Sequence, residues 1–222
     1  MSSILITGSE GVIGKIISEE LKKYHNLVLI DQKKGIDILR DYIKPYFSKS
    51  EILIHLAANP APNINQKEAE KNIEISKWVI EACDSAPNLA KIVNASSINV
   101  YPYFRIYLLG KKITKETPLS ANSFFEEDSY GRAKIEVEKM FEKYCEKRNI
   151  PLLNLRFGCV TKNDKISIQP DGSIFASEYD IWLKHKDLKK IISKCVDTNI
   201  QGNYVCVSKK DGFVDESIRF PI

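Results

Sequence analysis

The sequence predicts an α/β fold, a doubly wound parallel sheet with helices on both faces and a short C-terminal appendage. Three observations predict it. Short apolar runs alternate along the chain with segments of helical periodicity, the pattern of parallel strands joined by crossover helices. The first run, Ile4-Leu5-Ile6, passes into Thr7-Gly8-Ser9-Glu10-Gly11-Val12-Ile13-Gly14 and then into Ile13, Ile16, Ile17 and Leu21 at helical spacing. A second run, Leu27-Val28-Leu29-Ile30, ends in Asp31, 17 residues beyond Gly14.

Three glycines spaced three apart, between a strand and a helix, form a turn built to hold a phosphate. Glycine lets a pyrophosphate approach bare backbone, and the unpaired amides and positive dipole end of the new helix face the anion. An acid at the end of the next strand suits the adenosine ribose hydroxyls and repels a ribose phosphate. The expected cofactor is NAD in a Rossmann-type site, with Lys33 and Lys34 softening the preference over NADP. Its expected wall is Gly8, Gly11, Val12, Ile13, Gly14, Asp31, Gln32, Asp37, Ile38, Leu56, Ala57, Ala58, Ala95 and Phe157.

The 222 residues suffice for one domain with a substantial core. Residues 1–160 are expected to form the dinucleotide-binding part that carries the catalytic residues, and 161–222 a small substrate-side segment completing the same domain. A formal charge of +4, with no long basic block, gives no case for nucleic acid. No apolar run approaches membrane length, and the first strand begins at residue 4, which leaves no room for a signal peptide. Five cysteines without a C-x-x-C pair read as inert thiols in a reducing compartment, so a cytoplasmic protein without a metal site is expected.

Taken in order, Gly35-Ile36-Asp37-Ile38-Leu39 reads as a short strand feeding a helix that ends near Pro45. A buried strand follows over 51–59 and leads to a proline-bearing loop at 59–63, where Asn59 is a candidate substrate residue. The pattern over 66–86 is helical, with Asn72 inside it as a polar residue that calls for either a partner or solvent. Strand Lys91–Ala95 delivers Ser96, Ser97 and Asn99 at its carboxyl end. No period appears over 101–128, which reads as a wall or lid over the substrate or as a partner surface. A helix spans 129–148, a strand 152–156, a second helix 187–196 and a last strand 203–207. His55 reads as a structural strand residue.

Tyr130 and Lys134 stand four apart at the start of a helix, within about 40° of each other on one face. A fixed ammonium beside a phenol favours the phenolate, so Tyr130 is expected to have a lowered pKa and to serve as a base near neutral pH. Ser97, 33 residues earlier at a strand's carboxyl end, can hydrogen-bond the same substrate oxygen. The three suit alcohol oxidation or carbonyl reduction coupled to hydride transfer with a nicotinamide.

Together these motifs resemble the extended short-chain dehydrogenase/reductase family, also described as NAD-dependent epimerase/dehydratase, over about residues 3–160. Within it, His55-Leu56-Ala57-Ala58-Asn59-Pro60, Ala95-Ser96-Ser97 and Asp128-Ser129-Tyr130 are most similar to the branch of uronate and archaeal sugar dehydrogenases. Trp182-Leu183 and Val207-Ser208 add to that likeness. The resemblance implies Tyr130 as base, Lys134 as its activator and ribose clamp, and Ser97 as oxygen-positioning donor. It also implies Asn72 as a proton-relay or helix-shaping residue, and a homodimer through the helices at 66–86 and 129–148. It departs at Ile98-Asn99, where the uronate enzymes carry Asn-His, and in having no arginine between Gly158 and Trp182. Only 64 residues follow Gly158, so a dehydrogenase of a sugar, with Asn59, Ser97 and Asn99 on the substrate, is expected over a nucleotide-sugar epimerase. A dinucleotide sensor without turnover is the third reading.

Overall fold

The computed structural model describes residues 1–121, 128–166, 180–209 and 212–221. Six strands, β1 (Ser3–Thr7), β2 (Asn26–Ile30), β3 (Ile52–His55), β4 (Lys91–Ser97), β5 (Leu152–Phe157) and β6 (Gly202–Cys206), form one parallel sheet in the order β2-β1-β3-β4-β5-β6. The order reverses direction at β1, where strands β2 and β3 flank it on opposite sides. In such sheets ligands collect outside the carboxyl ends of the strands at this switch point.

Alternation along each strand sorts side chains between the two faces. Ile4, Ile6, Ile54, Val93 and Leu155 pack against α1 (Val12–Leu21) and the last helix, α6 (His185–Asp197). Leu5, Leu53 and Ile92 pack against α2 (Lys44–Phe47), α3 (Gln66–Cys83) and α5 (Ser129–Arg148). This second face also carries a polar row. Thr7, His55, Asn94, Asn154 and Asn203 occupy one register row across five strands. Asn94 donates to Asn154 and Asn154 to Asn203, both at 2.8 Å, so the amides are joined along the row to its exposed end at Asn203.

The expected strand at 35–39 does not form. Gly35 ends a short 3-10 turn in the left-handed region at φ 80, and Asp37 draws the next backbone into a local knot. Its carboxylate accepts from Leu39 N at 3.0 Å, and its carbonyl accepts from the amides of Arg40 and Asp41. With Ile36 N donating to Asp31 O and Asp37 N to the Asp41 carboxylate as well, the amides of Ile36, Asp37 and Leu39 are spent on local turns rather than a ladder. Pro45 opens α2 rather than ending a helix, since proline is tolerated in a first turn.

Residues 101–121 are more ordered than their lack of period suggested. Helix α4 covers Tyr103–Leu108, and Ile113 pairs in parallel with Val214 of the tail. Ile98, Val100, Tyr101 and Ile113 share a buried cluster with Ile181, Val205, Val207 and Val214. Tail residues supply that cluster, so the sequence window around 101–121 could not reveal it. The sequence from Gly158 to Tyr179 is rich in turn-forming residues, and 167–179 lie outside the described residues. Lys91, 7% exposed at the start of β4, sends its Nζ to the carbonyls of Cys195 and Thr198 and thereby caps α6 from another element.

Candidate active site

A cleft of about 1280 Å³ runs along the carboxyl ends of β1 to β5. Every residue expected to bind cofactor or substrate lines it. At one end are Gly8, Gly11, Val12, Ile13, Gly14, Asp31, Gln32, Asp37 and Ile38. Leu56, Ala57, Ala58, Asn59 and Asn72 follow, and then Ala95, Ser97, Asn99, Tyr130, Lys134 and Phe157.

The three glycines of the first turn do different things. Gly8 sits at φ +72, and a Cβ there would lie 2.7 Å from Ala57 N. A Cβ on Gly14 would lie 2.3 Å from Gly8 O, so α1 can approach the loop only because this residue has none. Gly11 instead faces the cleft, where an added Cβ would meet only Gly8 O at 3.3 Å. It caps α1 with no side-chain hydrogen bond, and the first turn carries no acid. Unpaired amides at the start of α1, reached across a bare glycine, fit a pyrophosphate.

Asp31 is held in place by two backbone donors, Glu10 N at 2.9 Å and Lys33 N at 2.8 Å. Glu10 also pairs with Lys15 at 3.2 Å and Lys34 at 3.3 Å, and these partners hold its carboxyl below the usual range. Lys34 is thus engaged by a second carboxylate at this end of the cleft. The softening expected from it is reduced, and the local charge stays unfavourable for a ribose phosphate. Residues with this geometry fit NAD.

At the other end, Tyr130 and Lys134 lie on the buried face of α5, with the Lys134 Nζ 5.8 Å from the phenol ring centroid. Asp128 caps that helix by accepting from Gly131 N at 2.7 Å. Lys134 donates to Ala95 O at 2.7 Å. Burial pulls its pKa down to about 8, against the pull of Glu138 in the other direction. Tyr130 departs from expectation. Burial pushes its phenol up to about 12, a hydrogen bond with Ser97 works the other way, and the Asp128 carboxylate adds to the rise. Lys134 aims its ammonium, 5.8 Å from the ring centroid, at the Ala95 carbonyl, and desolvation of the phenol dominates. Ser97 Oγ also accepts from Asn99 N at 3.2 Å, which fixes the turn after β4.

Asn72 proves to be a clamp. It is 4% exposed; its Oδ1 accepts from Asn59 N at 2.7 Å and its Nδ2 donates to Asn59 O at 3.0 Å. Asn59 in turn donates from Nδ2 to Glu68 at 3.2 Å, so both its backbone and its amide are committed to holding the loop. His55 is bracketed by Thr7 Oγ1 at 2.8 Å and Ser76 Oγ at 3.1 Å, and burial lowers its pKa to about 3. A neutral ring between two hydroxyls, away from the cleft, suits the structural reading.

Several lining residues were not anticipated, among them Glu68, Lys71, Tyr103, Cys159, Val160, Lys162 and Ile181. The one available sequence signal lay in two further glycines. A Cβ on Gly131 would lie 2.5 Å from Asn99 O, and one on Gly158 would lie 1.9 Å from Ile181 O. They mark where the serine turn and the tail close onto α5 and β5.

Fold and cleft are those of a dinucleotide-binding α/β protein. The chain belongs to the NAD dependent epimerase/dehydratase family, whose model matches residues 4–161, and NAD is its cofactor. It is 24% identical over 223 residues to L-arabinose 1-dehydrogenase (NAD(P)(+)) of Haloferax volcanii, covering 94% of this chain and 87% of that protein. Among solved structures it is similar to a mutated uronate dehydrogenase, with TM-score 0.73, 17% identity, and coverage of 97% of this chain and 78% of that one. It is also similar to UDP-glucuronic acid 4-epimerase from Bacillus cereus in complex with UDP-glucuronic acid and NAD. There the TM-score is 0.70 and the identity 21%, covering 94% of this chain and 78% of that one.

Proposed function

We propose that the protein oxidises a free or small phosphorylated sugar at its anomeric carbon. The observation that carries this reading is the meeting of Ser97, Tyr130 and Lys134 in one cleft with the glycine turn and Asp31. The sugar 1-dehydrogenase matched along most of both chains supports the choice of carbon. NAD supplies the hydride acceptor. Ser97 donates a hydrogen bond to the substrate oxygen, and Tyr130 takes the hydroxyl proton as hydride leaves the carbon, giving a lactone, NADH and a proton. Lys134 holds a positive charge near the phenol and would hold the ribose of bound NAD. Asn72 acts through Asn59, by fixing the loop beside the reacting end.

The same reading includes a homodimer through the outer faces of α3 and α5, where Trp78 is 45% exposed. It also places the enzyme in the cytoplasm, in keeping with five free thiols. Among the described residues, no helix is long and apolar enough to cross a membrane.

The test offers purified protein and excess NAD a panel of aldoses, uronic acids, sugar phosphates and UDP-sugars. Stoichiometric NADH with one of the first three supports the reading. An isomerised UDP-sugar without net NADH replaces it with epimerisation, and no conversion of any compound despite NAD binding points to a sensor.

A further inference from the structure

On α5, Tyr130, Lys134 and Glu138 follow one another at four-residue steps on one face. Glu138 is 1% exposed and forms a two-pronged pair with Arg156 of β5, accepting from Nε at 3.0 Å and from Nη2 at 2.7 Å. The remaining arm of the guanidinium, Nη1, donates to Tyr101 Oη at 2.5 Å, and its Cζ lies 5.1 Å from the Tyr101 ring centroid. Tyr101 closes the 3-10 turn Ile98–Val100 through Tyr101 N to Ile98 O at 3.0 Å, and Ser97 opens that same turn. A ring of contacts therefore runs from Lys134 along α5 to Glu138, across to Arg156, through Tyr101 to the Ser97 turn, and back along β4 to Ala95 O, where Lys134 donates.

Two apolar side chains of similar volume would hold α5 to β5 as well or better, because removing two ions from water costs more than their attraction commonly returns. The charges sit where they bear on the site. We propose that Glu138 is a positioning residue for the reaction, holding a carboxylate one helical turn from Lys134, while Arg156 and Tyr101 set the Ser97 turn against α5.

This inference rests on the functional reading above. The groups facing Lys134 are Tyr130 and Glu138 on its own helix, the neutral His55 of β3, and the Ala95 carbonyl of β4. Those facing Glu138 are Arg156 of β5, Tyr101 beyond the 3-10 turn, Lys134 one turn before it and Glu142 one turn after it. With Arg156 tied to Glu138, the carboxylate is the one group among these that raises the Lys134 pKa.

The experiment titrates lysine side chains of the free protein by NMR, with Lys134 assigned through Lys134→Met, and measures NADH affinity and the pH profile of turnover alongside. Glu138→Gln should lower the Lys134 midpoint by about one unit, a tenfold change in its ratio of charged to neutral forms. It should also bring the levelling-off of turnover to lower pH and reduce kcat roughly tenfold above about pH 8. Because Glu138→Gln leaves a buried guanidinium poorly paired, the paired change Glu138→Leu with Arg156→Met serves as a second variant, removing the charge without an orphan. It should melt at or above the wild-type temperature and still show the lowered midpoint and slower turnover. Tyr101→Phe should reduce kcat several-fold with the Lys134 midpoint unmoved. A Lys134 midpoint and kcat that stay at wild-type values in the folded double variant overturn the role of Glu138, leaving only a structural pair. Wild-type kcat in Tyr101→Phe overturns the role of the Arg156–Tyr101 arm. If the wild-type protein turns over nothing, the functional reading fails, yet the lysine titration still decides whether Glu138 sets the charge of Lys134.

Discussion

Alanine at Gly14 and alanine at Gly11 add the same methyl group three residues apart and should have opposite consequences. At Gly14 the new carbon would lie 2.3 Å from Gly8 O and 2.7 Å from both Ser9 C and Ser9 O. All three are backbone atoms, so relief requires α1 to move off the loop by roughly 1 Å, an overpacking that costs about 1–3 kcal/mol. For a chain of this size that lowers Tm by roughly 2–12 °C. At Gly11 the backbone has φ -68, which alanine adopts freely, and the nearest atom is Gly8 O at 3.3 Å. The loss of a good helix N-cap and the gain from a stiffer unfolded chain are each about 0.5–1 kcal/mol and opposed, so Tm should hardly move. The methyl group nevertheless stands between the cleft and the first amides of α1. Each charge-assisted hydrogen bond to the pyrophosphate lost there is worth about 1.5–3 kcal/mol, roughly a ten- to hundredfold loss of affinity. Thermal melts and NADH fluorescence titrations of the two variants read both effects. NADH binding at wild-type strength in Gly11→Ala would refute this account of the turn, as would an unchanged Tm in Gly14→Ala.

Four further outcomes are expected. Tyr130→Phe should retain NADH binding and Tm while turnover falls by about a hundredfold or more, read as kcat on whichever panel sugar is oxidised. With the phenol held near 12 and Lys134 near 8, oxidation should accelerate as pH rises through neutrality and level off above about 8, where the lysine charge is lost; a flat profile over that range counts against Tyr130 as base. His55, depressed to about 3 in the fold against 6.5 when exposed, binds a proton only in the unfolded chain across that window; stability should therefore climb with pH from about 3 to 6.5, and His55→Asn should flatten that slope in urea melts. Asn72→Ala removes both bonds to the Asn59 backbone and should speed proteolytic cleavage at 59–64 and raise KM for the sugar more than Kd for NADH.

What the sequence by itself determined is what is local or periodic. A glycine turn between an apolar run and an amphipathic helix is written in a dozen consecutive residues, and the spacing of Tyr130 and Lys134 is a property of one helix. Alternation of apolar runs and helical periods specified a parallel sheet, and an acid ending the second run located Asp31. Tertiary structure decided the rest, because the deciding contacts join residues far apart in the chain. Residues 35–39 carry strand-like residues yet form turns, since the amides of Ile36, Asp37 and Leu39 are taken by Asp31 O and by the carboxylates of Asp41 and Asp37. Asn72 reads as a mid-helix polar residue and becomes a clamp only when the Asn59 loop folds over it. Glu138 looks like one more surface charge on a charged helix until Arg156 arrives beneath it on β5. The Tyr130 phenol illustrates the difference most directly: the sequence supplies a neighbouring ammonium, but burial by the assembled fold sets the direction of its pKa.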